Sequence, residues 1–204
     1  MKQFVVSVGC EYGCGGPEIG KILAKDYGIA YYDRELIDDI IEEAGFSKDI
    51  TEAAETGADI KGRAKELQNT KSPTKYGNLT DRVVYIQSEA IKKLANRSSC
   101  VFIGRCSDYI LREQENCLNV FIYAPYETRI KNLMERNGLS RDDAITLIEK
   151  NDGMMHARYK QMTGTYRGDR HNRHMLIDSS LLGIEGTAEY IKVLVDKLFG
   201  ESKK

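Results

Sequence analysis

Strands alternating with helices place this chain in the α/β class, with a parallel sheet covered on both faces. Three observations carry that expectation. Phe4-Val5-Val6-Ser7-Val8 is β-rich and runs into a glycine cluster, after which Ile19, Ile22, Leu23 and Tyr27 recur at helical spacing. Cys100-Val101-Phe102-Ile103 is a continuous apolar run suited to a strand buried on both faces, and Leu118 to Tyr123 looks like the next one. Finally, 204 residues with 41% hydrophobic content can bury one substantial core, so a single domain over 1–204 is expected.

The elements follow in order. Gly28 stops the first helix, Ile29 to Tyr32 makes a second strand, and Leu36, Ile37, Ile40 and Ile41 mark the apolar side of a second helix. Large apolar residues are scarce from Phe46 to Gly77, which reads as an excursion without a core of its own. Val83, Val84, Ile86, Ala90 and Leu94 resume a helical pattern leading into the strand at 100–103. Glu127 to Asn137 suggests a helix, and Ser140 with Asp143 resembles an N-cap opening a long charged helix to about Met162. His174 to Ile177 fits a last strand, and Thr187 to Leu198 a closing amphipathic helix. In such sheets ligands bind beyond the carboxyl ends of the strands, where Gly9, Asp33, Gly104 and Ala124 fall.

Composition narrows the partners. Thirty Lys and Arg nearly balance 31 Asp and Glu, so no overall basic field draws the protein to nucleic acid or an anionic membrane, and anion binding must be local. The N-terminal apolar stretch is too short for a signal peptide or a membrane span, which predicts a cytoplasmic location. Five cysteines without a Cys-x-x-Cys pair argue for reduced thiols rather than a disulfide framework or a zinc site. Cys10 and Cys14 are read as small packed side chains. His156, His171 and His174 lack a compact ligand spacing and receive no chemistry.

The chemistry concentrates in Gly9-Cys10-Glu11-Tyr12-Gly13-Cys14-Gly15-Gly16. Four glycines in eight residues between a strand and a helix let consecutive N–H groups turn towards an anion, and the helix N-terminus adds its positive dipole end. Gly9, Tyr12, Gly13, Cys14, Gly15, Gly16 and Glu18 are therefore the candidate nucleotide-binding residues. The full Gly-x4-Gly-Lys-Ser/Thr signature is absent, because Gly16 stands where Lys is expected. Glu18 fits either a magnesium ligand or a first-turn carboxylate favoured by the helix dipole. Asp33, beside Arg34 at the end of the second strand, fits a helix cap or an orienter of a substrate hydroxyl. Gly104-Arg105 follows a buried strand, so the guanidinium would emerge at the ligand-bearing edge and grip a phosphate through two parallel hydrogen bonds. Arg136, Arg141, Arg158, Lys160, Arg167, Arg170 and Arg173 crowd the C-terminal third, where a hinged segment could bring cations over phosphates, although a charged solvated helix would account for most of them.

Taken together, Glu11-Tyr12-Gly13-x-Gly15-Gly16-x-Glu18-Ile19, Tyr31-Tyr32-Asp33, Gly104-Arg105 with Asp108-Tyr109-Ile110-Leu111, and Thr163-Gly164 resemble the cytidylate kinase-like family over nearly the whole chain. The resemblance implies the nucleoside monophosphate kinase fold: a three-layer α/β/α arrangement with a five-stranded parallel sheet and a phosphate-binding loop. It also makes residues 46–77 a monophosphate-binding excursion and residues 140–174 a helical, arginine-bearing lid. The implied reaction moves the γ-phosphoryl group of ATP, with Mg2+, to a nucleoside monophosphate such as CMP or another small phosphate acceptor. Asp33, Arg34, Gly104 and Arg105 would then bind the acceptor, and Arg105, Arg158 and Arg167 would be the catalytic cations.

Departures from the family pattern matter as well. Relatives usually carry Arg where Cys10 and Pro17 stand, and Met155 replaces a lid arginine. Removing cations from a developing triphosphate charge costs rate, so the alternative is a nucleotide-binding regulatory protein of the same fold with impaired catalysis.

Overall fold

The computed structural model describes residues 2–43 and 79–200, and the expected excursion at 46–77 lies outside the described residues. Five parallel strands form one sheet: β1 (Val5–Cys10), β2 (Ala30–Tyr32), β3 (Cys100–Ile103), β4 (Cys117–Tyr123) and β5 (Met175–Asp178), in the order β2-β3-β1-β4-β5. Central β1 pairs Val5 with Cys100 on one side and with Cys117 on the other, which explains why all three segments are nearly unbroken apolar runs.

Side-chain alternation along these strands sorts the core into two layers. Val6 and Val8 of β1, Val101 of β3 and Leu118, Val120 and Ile122 of β4 face α1 (Gly16–Tyr27) and the C-terminal helix. There they pack on Ile19, Leu23, Ile191 and Val195. Val5, Cys100, Phe102 and Cys117 face the other way, onto Ile37 and Ile41 of α2 (Arg34–Glu43) and Val83, Ile91 and Ala95 of α3 (Leu79–Arg97). The result is the three-layer α/β/α arrangement expected from the sequence.

A short helix α4 (Ser107–Ile110) follows β3, and α5 (Tyr126–Asn137) follows β4. Helix α6 (Arg141–Thr163) is capped by the Ser140 hydroxyl, which accepts from the Asp143 N–H at 3.2 Å, as the sequence pattern predicts. It packs on α5 through Ile130, Leu133, Ala144 and Ile148, a third small core beside the sheet. Helix α7 begins at Ser179 rather than Thr187 and runs to Phe199, with a kink at Gly183, whose φ of 68° lies in the left-handed region. No described helix is long and apolar enough to cross a membrane.

Parallel strands bring their carboxyl ends to one edge. The loop after β1, Asp33 after β2, Gly104 to Cys106 after β3 and Ala124 after β4 all emerge there, beneath α6. That edge holds the site.

Candidate phosphate-binding cleft

The loop between β1 and α1 is shaped by its glycines. Gly13 and Gly15 adopt φ of 85° and 89°, a region that L side chains rarely occupy. Gly13 is also crowded, since a Cβ there would lie 3.1 Å from the Arg129 carbonyl oxygen. Gly16 is closed more tightly still: its Cβ would fall 2.5 Å from both Cβ and Sγ of Cys10. The position where the phosphate-loop signature places Lys therefore has no room for any side chain while Cys10 is present.

Contacts from outside fix the loop carbonyls. Arg129 Nη1 donates to the Tyr12 carbonyl at 3.2 Å, Asn132 Nδ2 to that of Gly13 at 2.9 Å, and the Ser179 hydroxyl to that of Cys14 at 2.7 Å. Three successive carbonyls are thus held from outside, which leaves the loop's N–H groups and the N-terminus of α1 as the candidate anion-binding surface. Pro17 occupies the first turn of α1 and contributes no N–H to it.

Beneath the loop lies a charge network. Arg129 bridges Glu11, at 3.3 Å, and Asp152 of α6. Asp152 also accepts from the Tyr12 N–H at 2.9 Å and from Arg167 at 3.2 Å. Arg167 further lies over the Phe121 ring, 5.9 Å from its centre. At the outer side of the loop Arg136 donates to Glu18 at 2.6 Å, and its Nη2 is 3.4 Å from the point a Gly15 Cβ would occupy. This pair is about one-third to one-half exposed, so it exchanges partners at little energetic cost. Among the described residues no group of three or more His, Cys, Asp or Glu side chains could hold a metal ion. Glu18 lines the cleft beside the loop and pairs with Arg136.

Across the cleft stands a second cluster of arginines. Gly104, Arg105 and Cys106 take positive φ of 68°, 56° and 55° in succession, and the two non-glycine residues there signal backbone strain at a site. The Arg105 side chain, 5% exposed, is held by Asp38 of α2, which also pairs with Arg34 at 3.6 Å. Burial, and next the charge of Arg158, push the Arg105 guanidinium down to about 9, while Asp38 opposes that shift. Burial likewise lowers Arg158. Two mutually repelling guanidiniums at one wall of a cleft are stabilised by an anion placed between them. Asp33 caps α2, accepting from the Leu36 N–H at 3.2 Å, and also lines the cleft.

Deepest in the cleft, Asp108 of α4 binds the Arg173 guanidinium and accepts from the Tyr159 hydroxyl at 2.7 Å. Arg173 lies over the Phe121 and Tyr159 rings and donates to the Arg167 carbonyl at 3.2 Å. This triad ties the end of β3, helix α6 and the segment before β5 into one floor.

These groups enclose a cleft of about 570 Å3. Its walls bring together Gly9, Tyr12, Gly13, Gly15, Glu18, Asp33, Arg34, Gly104, Arg105, Arg158 and Arg167, all named from the sequence. Cys14 and Gly16 are not on its surface: Cys14 is buried behind the loop, its thiol 3.4 Å from the Ile122 carbonyl. Cys10 does line the cleft, its thiol lowered by the Cys14 hydrogen bond and, less, by the Arg167 charge. Sequence reasoning gave no role to Asp38, Gln87, Arg129 or Asp152, since each acts through a partner distant in the chain. Lone acids and amides on helices carry no local pattern that reveals such partners.

The chain resembles known proteins in sequence and in fold. A cytidylate kinase of Pyrococcus abyssi is 22% identical over 196 residues, covering 96% of this chain and 95% of that protein. A cytidylate kinase of Thermococcus sibiricus is 25% identical over 105 residues, a match spanning 53% of that protein. An uncharacterized protein of Eubacterium ventriosum, known from its crystal structure, superposes with a TM-score of 0.72 at 25% identity, covering 95% of this chain and 99% of that one. Shikimate kinase of Bacteroides thetaiotaomicron shares the fold, with a TM-score of 0.55 at 11% identity and coverage of 96% and 99%. Residues 5–181 match the cytidylate kinase-like family as a whole, and the chain belongs to that family.

Proposed function

We propose that this protein is a nucleotide kinase that transfers the γ-phosphoryl group of ATP, with Mg2+, to a nucleoside monophosphate, CMP before others. One observation carries the reading: the glycine cradle after β1, the buried Arg105 and the half-buried Arg158 line one and the same cleft. A donor phosphate chain on the cradle and an acceptor phosphate on the arginines would lie in line for transfer.

Bound magnesium-ATP supplies the transferred group and part of the charge neutralisation. The chain's own residues do the rest. Backbone N–H groups of the loop bind the phosphates, and Glu18 is the side chain towards the metal. Arg136 supplies, from outside the loop, the cation that Gly16 cannot carry. Arg105, Arg158 and Arg34 orient the acceptor phosphate, with Gly104 giving the turn its shape and Asp33 at the acceptor side. Arg167, held on Asp152 and lining the cleft, would bring its charge to the transferring group. Residues 140–174 act as the lid, with α6 covering the cleft and excluding water.

The reading is tested by measuring ADP formation from ATP with CMP, dCMP, UMP and AMP, and with shikimate and gluconate as non-nucleotide acceptors. Turnover with a pyrimidine monophosphate is the expected result. No turnover with any acceptor would overturn it, and nucleotide binding without turnover would favour the regulatory reading that Cys10, Gly16, Pro17 and Met155 suggest.

A further inference from the structure

Gln87 is fully buried on α3, against the turn that carries Arg105. Its Nε2 donates to the Arg105 carbonyl at 2.8 Å, and its Oε1 accepts from Arg158 Nη2. A primary amide carries donors and an acceptor on one rigid planar group, so a single side chain sets the separation of the strained Arg105 turn from the lid helix. The carbonyl it holds belongs to the middle of the three residues with positive φ. Without the amide that carbonyl loses its donor and Arg158 loses a hydrogen bond, so less opposes the repulsion between the two arginines. Being neutral, Gln87 holds the Arg105 backbone and the Arg158 guanidinium without adding a countercharge to the one Asp38 already offers Arg105.

We propose that Gln87 is a positioning residue of the acceptor pocket, fixing Arg105 and Arg158 as a preset pair for a dianionic phosphate monoester. The inference rests on the acceptor assignment above. It adds that the lid helix is registered to the acceptor wall through this amide before the acceptor arrives.

Isothermal titration of the full chain with CMP, inorganic phosphate and Mg-ATP tests it in wild type, Q87M, R158A and the double variant. Losing a hydrogen bond to a charged group should weaken CMP and phosphate about tenfold in Q87M, while Mg-ATP changes less than about twofold. If Gln87 acts through Arg158, Q87M adds little to the loss already present in R158A. A purely structural role predicts multiplied losses, or an equal loss for Mg-ATP, and either result overturns the proposal. So does a Q87M protein that binds phosphate as wild type does. Q87N, an amide one methylene shorter, serves should Q87M unfold, with the same selective loss expected. Phosphate binding that depends on Gln87 without any turnover would sink the kinase reading alone. Turnover with phosphate binding indifferent to Gln87 would sink this inference alone.

Discussion

Replacing Asp108 by Asn removes one charge from the buried floor of the cleft while keeping its size and an oxygen for the Tyr159 hydroxyl. Arg173, whose side chain is only 1% exposed, then keeps its charge without the carboxylate that compensates it. Breaking one partner of a buried pair costs about 3 to 5 kcal/mol, and the retained shape points to about 3. For a domain of this size that is a fall in Tm of about 6 to 12 °C. Thermal unfolding followed by circular dichroism reads it directly. The companion D108L/R173M protein loses both charges together, so it should be more stable than the sum of the single losses by more than about 1 kcal/mol. A D108N protein melting within about 2 °C of wild type, or strictly additive losses, would refute the argument that the pair holds the floor together.

Other consequences are equally concrete. Installing Lys at position 16 should fail alone, because its Cβ meets Cys10, and C10G/G16K should bind ATP more tightly than G16K; equal affinities in a titration would contradict this. Iodoacetamide should label Cys10 before the buried, raised Cys14, and ATP should slow the reaction, as peptide mass spectrometry would show. Equal labelling of both thiols would place the loop differently. On the proposed role of protonated Arg105 at the acceptor, acceptor KM should stay flat at neutral pH and rise as pH passes about 9, with R105K moving the inflection. The same depression has the opposite sign for folding: the buried charge costs stability below about 9, and the cost is relieved as pH rises above it.

The architecture was legible because unbroken apolar strands and helical spacing are local signals. Val5 to Val8, Cys100 to Ile103 and Leu118 to Tyr123 announce a doubly covered sheet, and Ser140 with Asp143 announces α6. Helix α4 was not visible, since it begins after Arg105 and Cys106 take left-handed torsions that their side chains do not advertise. The start of α7 was hidden by Gly183 and Gly186, which interrupt its periodicity. In the site, glycines and arginines could be named one by one, but not their order of burial. That Arg173 is sealed on Asp108 while Arg136 stays half open on the rim is decided by partners 65 and 118 residues away.

The most direct measurement is phosphorus NMR of ATP, Mg2+ and CMP incubated with the protein. The account predicts equal growth of ADP and CDP signals, abolished or strongly slowed in R105A and R158A. ATP that stays intact, or that yields ADP with inorganic phosphate and no CDP, would contradict it.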